Sequence, residues 1–182
     1  RLGRAVLWRR MLLPRYPVCC RARCDSMTEA IAQVLIDEAA TVAFGDDLLN
    51  LIRRRFGDTA LVALEGDLGA GKTTLVRGIL RALGFSGAVK SPTYTLLEPY
   101  SIDNLDLYHF DLYRLESAEE LEFVGFEEIL DGPGIKLFEW PQRGEGWLPS
   151  PDVLVQLALH RPASTDAAAP AQRSVRVLIP DG

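Results

Sequence analysis

Cysteine stops early in this chain: Cys19, Cys20 and Cys24 are the only three in 182 residues. With none in the remainder, the sequence supports neither a disulfide framework nor a cysteine-based metal site. Histidine is almost as scarce, and with His109 and His160 alone no transition-metal centre is expected. No apolar run approaches the roughly 18 residues of a membrane helix; the stretch 60–64 is stopped at once by Glu65. The expectation is a cytoplasmic protein with no membrane partner. At 48% hydrophobic and 25% charged residues, the composition excludes disorder and collagen-like repeats. The length fits one domain with a sizeable core.

Basic residues are also short, once the first 26 positions are set apart. Residues 1–26 hold seven arginines against the single acid Asp25. Taking these from the totals of 20 basic and 25 acidic residues leaves 13 against 24, a net charge of −11 over residues 27–182. A surface of that sign repels phosphate backbones, which excludes a stand-alone nucleic-acid binder and leaves RNA to be held by a partner. The leader is poor in acid but lacks the serine of a transit peptide, and Pro14 and Pro17 break any amphipathic helix in it. Met27 is therefore read as the natural start, with 1–26 a non-native or disordered leader and 27–182 the folded domain.

Periodicity predicts a strand over 31–36, a helix over 42–56 with Phe44, Leu48, Leu51 and Ile52 on one face, and a buried strand over 60–64. A helix over 72–83 follows a glycine-rich turn, with Gly84 placed to end it. Further strands are expected at 95–100, 105–112, 135–140, 153–160 and 174–179. Helical turns are expected at 118–123, with Ser117 and Glu120 spaced as a capping box, and at 126–130. The pairs 95–100 with 105–112, and 153–160 with 174–179, read as hairpins. Residues 162–170 read as a polar loop. Strands interleaved with helices define an α/β domain whose sheet is mixed, mainly parallel at its centre and flanked by helices.

One motif carries chemistry. Residues 66–73, GDLGAGKT, match G-x-x-x-x-G-K-[ST] between the buried strand and the next helix, the context that a phosphate-binding P-loop requires. Its glycines let backbone N–H groups converge on phosphate oxygens at the positive end of that helix. Lys72 is placed to reach the β and γ phosphates, and Thr73 to offer its hydroxyl to Mg²⁺. Hydrolysis also needs carboxylates, and Asp111 and Glu139 each close a predicted strand. If those strands run parallel to 60–64, both acids face the crevice at the carboxyl ends, although strand-ending acids are common as plain turn residues. Thr93, in the loop 91–95, sits where a threonine can sense a γ-phosphate. Arg114 and Arg143 are candidates for phosphate contact or for surface ion pairs. His109 is read as a packed side chain on the face opposite Asp111.

These stretches closely resemble the TsaE (YjeE) family. The matches are LEGDLGAGKTTL at 64–75, VKSPTYTLLEPY at 89–100, YHFDLYRL at 108–115, EELEFVG at 119–125 and FEWPQRG at 138–144. The resemblance covers about residues 30–160. It implies a single P-loop NTPase domain: a Mg-dependent ATPase, weak alone, that serves threonylcarbamoyladenosine modification of tRNA with TsaD-like and TsaB-like partners, which bring the tRNA. It further implies that Leu68, Gly69, Ala70, Gly71, Lys72 and Thr73 form the phosphate loop for ATP or ADP. Thr73 and Glu139 become the Mg²⁺ ligands, Asp111 the acid needed for hydrolysis, Thr93 part of a switch-like loop and Trp140 the edge of the site. Glu38, Thr41 and Arg173 match more distant nucleotide contacts.

From the residues alone, other readings of a P-loop domain stay open. A small-metabolite kinase would need an arginine-rich lid, for which only Arg114 and Arg143 are at hand. A GTPase would need an N-K-x-D motif, yet Asn50 and Asn104 are the only asparagines. A nucleotide-dependent scaffold would bind without hydrolysing.

Overall fold

The apolar run expected to be buried on both faces is the middle of the sheet. A computed structural model describes residues 27–117, 119–160 and 171–181; the leader and the loop predicted at 162–170 lie outside them. In chain order the elements are β1 (Met27–Leu35), α1 (Glu38–Phe56), β2 (Thr59–Glu65), α2 (Lys72–Ala82), β3 (Leu97–Ile102), β4 (Leu105–Asp111), α3 (Glu119–Phe123), α4 (Phe126–Asp131), β5 (Gly134–Glu139), a 3-10 turn (Pro141–Gly144), β6 (Val153–His160) and β7 (Gln172–Pro180). The strands form one sheet in the order β1-β7-β6-β2-β5-β4-β3. The four central strands run parallel, since β2 pairs with β6 and β5, and β5 with β4. Antiparallel partners close both sides: β3 on β4, and β7 on β6 followed by β1. This is a single α/β domain with a mixed, centrally parallel sheet, as the periodicity predicts.

Both hairpins form, and Asp103 and Asn104 make the first of them with φ of 47° and 67°. Positive φ at both central residues is the turn whose twist suits a two-residue hairpin. Asp37 caps α1 by accepting from the Ala40 amide at 2.7 Å, so that helix starts at Glu38, ahead of the apolar periodicity. β1 reaches back to Met27 although most of it is exposed; its length is set by backbone pairing with β7 from Met27 to Leu35. β3 begins two residues later than expected because Leu96 takes φ of 64° and its amide bonds to the Pro92 carbonyl. Glu120 completes its half of the predicted capping box, accepting from the Glu116 and Ser117 amides at 2.8 and 3.0 Å.

Alternation along the strands divides the core. On one face, α1 and α2 cover Val62, Leu64, Leu107, Leu137, Val155 and Val177 with Leu48, Ile52, Leu75 and Ile79. On the other, Phe110 stacks on Phe138 with centroids 4.6 Å apart beneath Leu121 and Phe126. Period two then places His109 and Asp111 of β4, and Glu139 of β5, on the α2 side. Among the described residues no helix is long and apolar enough to cross a membrane.

Helices α1 and α2 meet backbone to backbone. A Cβ on Gly45 would lie 2.2 Å from the Gly78 carbonyl carbon, and one on Gly78 would lie 2.3 Å from the Val42 carbonyl oxygen. Neither obstacle is a flexible side chain, so a methyl there forces the helices apart. Gly78→Ala is expected to destabilise the domain by about 1–3 kcal/mol, read from the urea unfolding midpoint. An unchanged midpoint would mean that the helices separate freely.

Candidate functional site

The site is built from one loop and the carboxyl ends of three parallel strands. β2 runs into Gly66, whose φ is 146° and where a Cβ would meet the Leu157 carbonyl oxygen at 2.4 Å. Only glycine lets the chain leave the sheet this close to β6. The loop turns at Gly69 and Gly71, with φ of 81° and 106°, and α2 begins directly after Gly71. Leu68 is exposed at the tip of the loop and Ala70 is buried beneath it. α2 carries no acidic residue in its first turn, so the positive end of its dipole opens on the loop.

Lys72 is buried, with 4% of its surface accessible. Its Nζ donates to the carbonyls of Gly66 at 2.6 Å and Asp67 at 3.0 Å and lies 4.0 Å from the centre of the Trp140 ring. Burial lowers its pKa, against the opposing pull of Glu139, Asp111 and Asp67. Trp140 takes φ of 58°, which ends β5 one residue earlier than expected, and its ring lies 4.9 Å from that of Tyr113.

The two acids are neighbours. Asp111 and Glu139 are register partners on parallel strands, and Glu139 pairs across β5 with Leu64, two residues before the loop. Glu139 Oε1 accepts from Thr73 Oγ1 at 2.8 Å and contacts His109 Nε2 at 2.9 Å. Asp111 Oδ2 accepts from Thr93 Oγ1 at 2.8 Å and from Ser91 Oγ, while Oδ1 accepts from the Tyr113 amide at 3.0 Å. Both carboxylates are almost wholly buried. Each lies in a cradle of hydrogen-bond donors.

The remaining expected contacts divide. Arg173 reaches the loop from β7, its Nε 3.1 Å from the Ala70 carbonyl. A Cβ on Gly71 would meet that same Nε at 2.7 Å. Glu38 pairs with Arg77 of α2 at 2.8 Å on the surface. Thr41 is buried, and its hydroxyl donates to the Asp37 carbonyl at 2.9 Å. The Arg114 guanidinium stacks on the Tyr94 ring at 4.6 Å.

His109 departs from the sequence expectation in one respect. It is packed, as expected, with no accessible surface, but it does not face away from Asp111. The two are separated by two positions and so share a strand face, which brings the imidazole to Glu139. Counting to i+2 instead of i+1 would have found it. Ser91 was legible only as a neighbour of Thr93; its bond to Asp111 depends on how the loop folds over β4.

The fold and site together define an α/β protein with a G-x-x-x-x-G-K-T loop and two acids gathered at the carboxyl edge of a parallel sheet. A family model described as "Threonylcarbamoyl adenosine biosynthesis protein TsaE" matches residues 35–167, and the chain belongs to the TsaE family. The chain is 46% identical over 130 residues to the tRNA threonylcarbamoyladenosine biosynthesis protein TsaE of Haemophilus influenzae, a match covering 71% of this chain and 82% of that protein. To the Bacillus subtilis protein of the same name it is 45% identical over 89 residues, covering 49% of this chain and 55% of the relative. The crystal structure of Bacillus subtilis YdiB superposes with a TM-score of 0.61 at 27% identity, covering 85% of this chain and 88% of that one.

Lys72 yields a pH test. Burial holds its folded pKa below the ordinary 10.5. Between the lowered value and 10.5 the unfolded chain binds the additional proton, so this position adds stability as pH rises. The unfolding free energy of the wild type minus that of Lys72→Met should therefore grow as pH rises toward 10.5. A difference that stays flat or shrinks would show that the ammonium is not desolvated.

Proposed function

We propose that this chain binds ATP with Mg²⁺ and hydrolyses it to ADP and phosphate in the cytoplasm, as a subunit of the machinery that forms threonylcarbamoyladenosine in tRNA. The observation that carries the reading is the 2.8 Å bond between Thr73, first residue after the loop lysine, and Glu139 at the end of β5. It joins the phosphate loop to a strand-end acid. The relatives named above are tRNA threonylcarbamoyladenosine biosynthesis proteins, which supports the pathway.

The donor set fits magnesium. Thr73 and Glu139 supply one hydroxyl and one carboxylate, hard oxygen ligands of the type Mg²⁺ takes while keeping waters and phosphate oxygens. Among the described residues no group of three or more His, Cys, Asp or Glu forms a complete protein cage, in keeping with an ion shared with the nucleotide. When bound, Mg²⁺ supplies charge neutralisation at the phosphates. Residues 68–73 present backbone N–H groups to those phosphates, and Lys72 turns its ammonium from the Gly66 and Asp67 carbonyls to the β and γ oxygens. Arg173 braces the loop at Ala70. Trp140 covers Lys72 and closes the edge of the site, while Glu38 is the nucleotide contact at the start of α1 and the buried Thr41 supports that start through the Asp37 carbonyl.

Asp111 orients the attacking water. Its Oδ2 accepts from two hydroxyls of the loop 91–93, so that loop and the water share one carboxylate. The loop thereby couples the nucleotide state to a surface that partners can read. TsaD-like and TsaB-like subunits fit as those partners. The net charge of −11 over residues 27–182 leaves tRNA to them.

Phosphate release from Mg-ATP by the full chain, with Lys72→Ala as blank, tests the reading. Slow release that rises when the TsaD-like and TsaB-like proteins of the same organism are added is the expected result. Asp111→Ala should lower it by about 10²-fold or more, the usual scale for losing a positioned base. Release equal to the blank, or release indifferent to those proteins but raised by a small acceptor, would reject the reading, the latter in favour of a kinase.

A further inference from the structure

We infer that His109 is a positioning residue for the magnesium site: it holds the Glu139 carboxylate in the orientation that ligates the ion. The inference rests on the reading of Glu139 as a metal ligand. A carboxylate accepts and does not donate, so the 2.9 Å contact places the ring hydrogen on Nε2. The same oxygen, Oε1, takes the Thr73 hydroxyl; both restraints fall on one oxygen and neither involves Oε2. A carboxylate on two rotatable methylenes is fixed only when a second group fixes it, and ligating carboxylates are held in this way by outer partners.

Packing alone does not account for an imidazole at this position. His109 has no accessible surface, and its Nδ1 has no hydrogen-bond partner among the described residues. A polar nitrogen desolvated without compensation is unfavourable, and Leu107 and Leu137, buried on the same face of the sheet, show that this layer accepts apolar groups. The imidazole leaves one ring nitrogen without a partner among the described residues, and what the other gains is Glu139. β4 makes the arrangement stiff. His109 pairs with Leu137 and Asp111 with Glu139, so the imidazole approaches Glu139 diagonally from a parallel neighbour, and strand pairing fixes the reach.

The test is the Mg²⁺ dependence of ADP binding, measured by calorimetry on the full chain, with an EDTA series for metal-free affinity. His109→Leu removes the donor in a similar volume. It should raise the Mg²⁺ midpoint about 10–100-fold, the usual effect of losing an outer-sphere partner, and leave metal-free ADP affinity unchanged. His109→Gln keeps an N–H donor and should restore most of the loss. His109→Asn has a donor too short to reach and should behave as the leucine variant does; it serves if leucine prevents folding. A wild-type Mg²⁺ midpoint in the leucine or asparagine variant, or an equal fall in metal-free affinity, overturns the inference and leaves Glu139 a ligand. Glu139→Gln with a wild-type midpoint overturns the reading of Glu139 itself, and the inference with it.

Discussion

Everything at the site depends on the parallel pairing of β2, β5 and β4 in one register. Glu139 is opposite Leu64 on one side and Asp111 on the other. The pairing continues past the strand end: the Trp140 amide bonds to the Leu64 carbonyl at 3.3 Å and the Leu112 amide to the Glu139 carbonyl at 3.1 Å. The backbone on either side of the acid is thus tied to both neighbours. Parallel strands expose their carboxyl ends together, so a loop that leaves β2 necessarily emerges beside acids that end β4 and β5. A one-residue slip would send Glu139 to the other face, among the phenylalanines.

The second constraint is close approach. α2 lies against α1 at Gly45 and Gly78, and the loop that leads into it lies against β6 at Gly66; at each, added side-chain atoms would meet backbone. Bringing the start of α2 down onto the sheet lets Thr73 reach Glu139 and buries Lys72. The electrostatics follow from that burial. A lysine out of water is unfavourable unless its charge is answered, and here two carbonyls, an indole face and the nearby acids Glu139, Asp111 and Asp67 answer it. The same groups keep the ammonium within the loop, where an anion brought to α2 would meet it.

Much of this was legible in advance. The buried run 60–64, the glycine-rich loop and the periodic helix after it specify a strand, turn and helix because their patterns are local. The apolar face of α1, the two hairpins and the full extent of β6 follow from period and turn chemistry. The ends of elements were less legible. Asp37 starts α1 through a side-chain cap, Leu96 and Trp140 adopt positive φ, and β1 is long because β7 is beside it. None of these has an apolar periodicity to announce it. Acids closing two strands were visible as candidates, but a strand-ending aspartate that caps a turn and one that faces a cleft look alike until the direction of the strands is known.

The sequence by itself determined the local parts: a G-x-x-x-x-G-K-T loop between a buried strand and a periodic helix, an acidic balance over residues 27–182, and no cysteine after Cys24. These are properties of composition and short spacing, readable without long-range contacts. The tertiary structure decided which residues meet. That Ser91 and Thr93 bond to Asp111, that Arg173 crosses from β7 to the glycine-rich loop, and that His109 stands behind Glu139 are contacts between positions 18 to 103 residues apart. Sheet order and register alone bring such positions together, because period two fixes the face of each side chain and only the pairing of strands fixes its neighbours.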